Sequence, residues 1–90
     1  MKTYHYILSG RVQGVAFRFY AERMAEQCGV RGSVRNLMNG DVEVFAQGEE
    51  AAIRSFEEFL HRGPRLARVE QLKKEIIDQG YEFSRFDVVD

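Results

Sequence analysis

The sequence predicts an α+β protein: a ferredoxin-like βαββαβ sandwich with a mixed, largely antiparallel sheet, two helices on one face and a short strand at the end. Three observations carry this. Stretches of period-two and period-3.6 hydrophobicity alternate in that order along the chain. An Asn39-Gly40 pair separates two strand patterns at the centre, where a hairpin must lie. Glycine closes both helical stretches, at Gly29 and at Gly63-Pro64. Right-handed crossovers then put both helices on the same side of the sheet.

Each element has its own warrant. Residues 4–12 alternate, with Tyr6, Leu8, Gly10 and Val12 on one face and His5, Ser9 and Arg11 on the other, a half-buried strand. Apolar residues at 17, 20, 21, 24, 25 and 28 fall at helical spacing over Phe17–Cys28. Residues 31–37 and 42–47 form the two hairpin strands, with Val42, Val44 and Ala46 on one face of the second. A helix over 49–61 carries the stripe Ala52, Ile53, Phe56, Phe59 and Leu60, with Glu49 and Glu50 in its first turn, where negative charge suits the dipole. Residues 68–77 read as a strand whose Lys73-Lys74-Glu75 run suits a sheet edge. A last strand over 82–88 offers Phe83, Phe86 and Val88 for packing.

Ninety residues, read as one domain over 1–90, bury a core but not a large one. Neither a membrane-length apolar run nor a signal-peptide pattern is present, so a cytoplasmic protein is expected. The single cysteine, Cys28, excludes a disulfide framework and reads as a small core residue. Net charge is −1, so no global field draws the chain to nucleic acid or to a membrane. Ten of the thirteen basic residues are arginine, which shifts attention from bulk charge to particular guanidinium groups.

The most informative of these is Arg18. The stretch Gly10 to Arg18 runs from a strand end through a short loop to the mouth of a helix. A helix N-terminus presents unpaired N–H groups and the positive end of a dipole. Gly14 permits a left-handed turn that curls the backbone round an anion, and Arg18 adds a fork matched to phosphate oxygens. Gln13, Gly14, Val15, Ala16, Phe17 and Arg18 are therefore the candidate phosphate-binding residues. Asn36 is the second candidate. Asn39-Gly40 already supplies the turn, which leaves Asn36 on a strand where asparagine is disfavoured.

The run Val12-Gln13-Gly14-Val15-Ala16-Phe17-Arg18 resembles the phosphate-binding loop of acylphosphatases. Gly32-Ser33-Val34-Arg35-Asn36, followed by Asn39-Gly40-Asp41-Val42-Glu43, resembles that family's second motif. Gly48, the Gly63-Pro64 turn with Ala67-Arg68-Val69, and the Phe83-Ser84-Arg85-Phe86 close also match, so the resemblance spans nearly the whole chain. Ala16 stands where many members have glycine, and Ser33 where many have an aromatic residue or threonine. The resemblance implies a small acylphosphatase in which Arg18 holds the phosphoryl group and Asn36 the attacking water.

Such an enzyme is expected to need no cofactor and no metal, to act as a monomer on a small acyl phosphate, and to bind phosphate or sulfate as product-like ligands. A cradle fixed on the phosphoryl end also predicts tolerance of the acyl part. The alternative is a non-catalytic ferredoxin-like module that binds an anion or RNA. The strand over 42–47 holds only Phe45 as an aromatic, too few for the stacking of an RNA-recognition sheet. The remaining polar residues read as structure or surface. His5 is expected on an exposed strand face, His61 at a helix end, and Arg62, Arg65 and Arg68 on solvated surface.

Overall fold

The computed structural model describes residues 2–78, 80 and 82–90; Met1, Gln79 and Tyr81, part of the expected span 1–90, lie outside the described residues. Strand β1 (Lys2–Arg11) buries Tyr4, Tyr6 and Leu8 on its core face, as its alternation requires. Its register slips between Ser9 and Gly10. Gly10 has φ 122°, and a Cβ there would press into the carbonyl oxygen of Arg68, so this bulge requires glycine. The bulge lies just before the loop that carries the candidate site.

Helix α1 (Phe17–Cys28) has the expected bounds and buries Phe17, Ala21 and Ala25. Gly29 ends it at φ 78°, and the N–H groups of Gly29 and Val30 close on the carbonyls of Glu26 and Ala25. Strands β2 (Arg31–Asn36) and β3 (Val42–Gln47) form the central hairpin. The left-handed residue of its turn is Gly40, at φ 98°, whereas Asn39 keeps a negative φ. Asn39 acts instead through its side chain, whose Oδ1 accepts the Asp41 N–H at 3.0 Å.

Helix α2 (Glu50–Arg62) sits one residue later than expected, because Glu49 stays extended as the residue before the first turn. Ile53, Phe56 and Leu60 are buried, while Ala52 and Phe59 are half-buried. Strand β4 (Arg68–Asp78) takes one sheet edge and β5 (Phe86–Val88) the other, in the order β4-β1-β3-β2-β5. Among the described residues only β2 and β5 pair in parallel. The last strand is shorter than the expected 82–88. Phe83 donates its N–H to Gln47 Oε1 at 2.9 Å, and Arg31 Nη1 donates to the Phe83 carbonyl at 3.3 Å. Side chains thus help to fix this stretch, and the backbone takes over with the Gly32 N–H bond to the Arg85 carbonyl at 3.1 Å, where pairing with β2 begins.

The helices pack on each other and on one face of the sheet, and the core fills the layer between. Phe56 meets Phe86 edge-on, with ring centroids 5.7 Å apart. None of the described helices is long and apolar enough to cross a membrane.

The face away from the helices carries a polar cluster. His5 Nε2 lies 2.8 Å from Glu43 Oε2, Arg35 Nε donates to Glu43 Oε1 at 2.6 Å, and the His5 ring stacks on Phe45 at 4.6 Å. His5 is therefore half-buried and engaged, rather than exposed as its strand position alone suggests. Partial burial pushes the Glu43 carboxyl up, but the hydrogen bonds from His5 and Arg35 outweigh it and hold the group below the usual carboxylate range. A carboxyl depressed in the folded state adds stability above its unfolded value, about 4.3, and loses it as pH falls through the folded value. Urea unfolding from pH 7 to pH 3 should therefore show a steeper acid loss for wild type than for Glu43→Gln.

Candidate active site

Five residues between β1 and α1 build the site. Val12 and Val15 are buried and anchor the loop, while Gly14 and Ala16 are exposed and left-handed, at φ 73° and 63°. Alternating anchors and reversals of this kind turn successive N–H groups toward one concavity. Ala16 is the one described non-glycine residue with positive φ. An L-residue there costs roughly 1–2 kcal/mol, and such strain persists only where the surroundings fix it.

Ala16 also opens helix α1. It offers no capping side chain, and the first helical hydrogen bond runs from the Tyr20 N–H to the Ala16 carbonyl at 3.1 Å. The amides of Phe17, Arg18 and Phe19 precede that bond, where a helix leaves its donors unpaired. The first turn holds no acidic residue and instead carries Arg18. In α2 the first turn instead holds Glu50, as the dipole favours. Cation and positive helix end therefore reinforce each other at α1, an arrangement that an anion relieves.

Asn36 reaches this point from β2. It is the last residue of that strand, paired with Val42, and among the described residues its carboxamide has no hydrogen-bond partner. Val12, Gly14, Ala16, Phe17, Arg18, Phe19 and Asn36 line one cavity of about 150 Å³. Arg18 and Asn36, distant in sequence, thus face the same small volume. The nearest carboxylate to the Arg18 guanidinium is Asp90, at 3.9 Å, beyond hydrogen-bond reach.

Gln13 has a different placement from the rest of the predicted set. Its Nε2 donates to the carbonyls of Leu37 and Asp41, each at 2.8 Å. The side chain ties the loop to the hairpin that presents Asn36, outside the lining of the cavity. Val15 and Phe17 send their side chains into the core, so only their backbone can meet a ligand. Phe19, not among the candidates drawn from the sequence, is 64% exposed and lines the cavity. Its signal was its position: on α1 it falls off the apolar stripe of Phe17, Ala21 and Ala25.

The other polar candidates lie elsewhere. Cys28 is half-buried, and burial pushes its thiol up, away from nucleophilic use. His61, Arg65 and Arg68 are exposed, and Arg62 lies over the Phe59 ring at 5.4 Å. Among the described residues no three His, Cys, Asp or Glu side chains gather as a metal-ligating group.

Comparison with known proteins gives a consistent answer. Residues 4–88 match the family model described as Acylphosphatase. An acylphosphatase from a Nocardioides species is 47% identical over 74 residues, which cover 81% of this chain and 75% of that protein. The crystal structure of acylphosphatase from Bacillus subtilis superposes with a TM-score of 0.95 at 33% identity, over 100% of both chains. An acylphosphatase structure from Coxiella burnetii gives 0.91 at 39% identity, over 97% of this chain and 90% of that one.

The loop geometry yields two stability predictions, both read by urea unfolding at neutral pH. Ala16→Gly removes the left-handed penalty and stabilises the fold by up to about 1 kcal/mol, net of the extra freedom of the unfolded glycine. Gln13→Leu removes two hydrogen bonds to carbonyls that each keep a backbone donor, the N–H of Gly40 on Leu37 and of Leu37 on Asp41, and destabilises by about 1 kcal/mol.

Proposed function

The chain belongs to the acylphosphatase family and is an acylphosphatase acting on acyl phosphates; from that premise we propose direct, metal-free, in-line attack of water on the phosphoryl group, with Arg18 as clamp and Asn36 as water holder. The observation that carries this reading is the shared cavity, in which the uncapped start of α1, the Arg18 guanidinium and the free Asn36 carboxamide converge.

The chemistry needs few parts. An acyl phosphate is a mixed anhydride whose leaving group is a carboxylate with a pKa of roughly 4, so it departs without a general acid. Phosphoryl transfer passes through a loose transition state, and catalysis is mostly positioning and charge stabilisation. The amides from Gly14 to Arg18 cradle the phosphoryl oxygens, as the left-handed turns at Gly14 and Ala16 support. Arg18 neutralises their charge through a planar fork. Asn36 offers both a donor and an acceptor, which suits it to hold water in line without acting as a base. The proton of that water passes to a phosphoryl oxygen.

Inorganic phosphate and sulfate then act as product-like inhibitors at the same cradle. Gln13 contributes by fixing the loop against the hairpin, and Val15, Ala16 and Phe17 contribute backbone alone.

The test is hydrolysis of benzoyl phosphate with a metal chelator present, with each variant checked by circular dichroism. Arg18→Gln and Asn36→Ala should each lose on the order of 10²–10³ in kcat, the usual cost of one transition-state donor. Arg18→Lys should recover little, because a point charge does not reproduce the fork. Activity lost to the chelator and restored by a divalent ion, or an isolable phospho-enzyme, would sink the mechanism.

A further inference from the structure

A second groove continues from the phosphoryl cavity. Ala16, Phe19, Tyr20, Arg23, Met24 and Pro64 line a space of about 360 Å³, and Ala16 and Phe19 belong to both. The α1 contributors fall at Ala16, Phe19, Tyr20, Arg23 and Met24, the spacing of one helix face. At about 1.5 Å per residue that stripe runs roughly 12 Å from the phosphoryl cradle. Pro64 closes the other side.

The walls have a definite chemistry. Phe19 presents an exposed ring at the junction of the two spaces. Tyr20 is held in place by its hydroxyl, which donates to the Phe59 carbonyl at 2.7 Å. Met24 adds a soft apolar surface on the half-buried side. Arg23, further along the stripe, is exposed and forms no ion pair with a described residue.

We infer that this groove is the acyl subsite, and that the chain selects acyl phosphates with an aromatic acyl group bearing a distal carboxylate. The inference rests on the phosphoryl reading, since a phosphate held at Arg18 leaves the acyl group to emerge past Phe19. The ring stacks there, its body follows Met24 and Pro64, and Arg23 meets the distal anion. The tolerance expected of a site that reads only the phosphoryl end is thus limited by a helix face beside it.

The test measures kcat and KM for acetyl, benzoyl and 4-carboxybenzoyl phosphate in wild type, Phe19→Ala, Arg23→Gln and Arg18→Gln. Phe19→Ala should lower the benzoyl-to-acetyl ratio of kcat/KM by roughly 3–10-fold, carried in KM. Arg23→Gln should lower the 4-carboxybenzoyl-to-benzoyl ratio by about 2–5-fold at low salt, and less as salt rises. Unchanged ratios in both variants would overturn the subsite alone. Equal losses on all substrates in Phe19→Ala would also overturn it, since Phe19 would then serve the phosphoryl loop. A shift at Phe19 without one at Arg23 would overturn the distal carboxylate. Full acetyl phosphate activity in Arg18→Gln would overturn the phosphoryl reading, and the subsite with it.

Discussion

Everything at this site depends on one backbone constraint: two left-handed residues, Gly14 and Ala16, held between buried anchors. A free peptide would relax the Ala16 conformation. Here Val12 and Val15 are pinned in the core on the near side of each reversal, Phe17 is pinned on the far side, and Gln13 is tied to the hairpin carbonyls. These contacts together leave the loop one path. The hydrophobic core thus sets the direction of the exposed amides.

Charge follows the same division. Elsewhere several ionic groups are paired conventionally. Lys74 Nζ and the Tyr6 hydroxyl both donate to Glu57 Oε2 at 2.8 Å, on the helix side of the sheet. Helix α2 has an acid in its first turn and His61 and Arg62 in its last. Helix α1 departs from that pattern, with Arg18 at its positive end and no basic residue in its last turn. A local electrostatic liability confined to one helix mouth, in a chain that avoids it elsewhere, is a physical mark of function.

Much of this was legible in the sequence, for reasons that can be named. Periodicity located both helices because each has a narrow buried stripe against one sheet. The Lys73-Lys74-Glu75 run marked β4 as an edge, which it is. Arg18 and Asn36 stood out as residues in locally unfavourable positions, and the fold brings both to one cavity. Long-range hydrogen bonds were what the local pattern could not reveal. Gln13 reaches across to carbonyls of the hairpin, Gln47 reaches Thr3 and Phe83, and His5 meets Glu43 from a neighbouring strand. The same bonds explain why β5 is short and why His5 is sheltered. Phe19 was missed because its place off the apolar stripe marks it as exposed but does not say that it faces the loop cavity.

The cavity at the mouth of α1 takes its shape from a short loop, whereas the groove beside it is lined mostly by residues of one helix face. The two surfaces therefore have different mutational freedom. Substitutions that keep the path of the loop leave its amides where they are. Phe19 and Arg23 face solvent, and exchanging them disturbs little of the core, whereas Met24 packs against it. A lineage carrying this fold can therefore alter the exposed wall of that groove one surface residue at a time, with little cost to the fold that supports it.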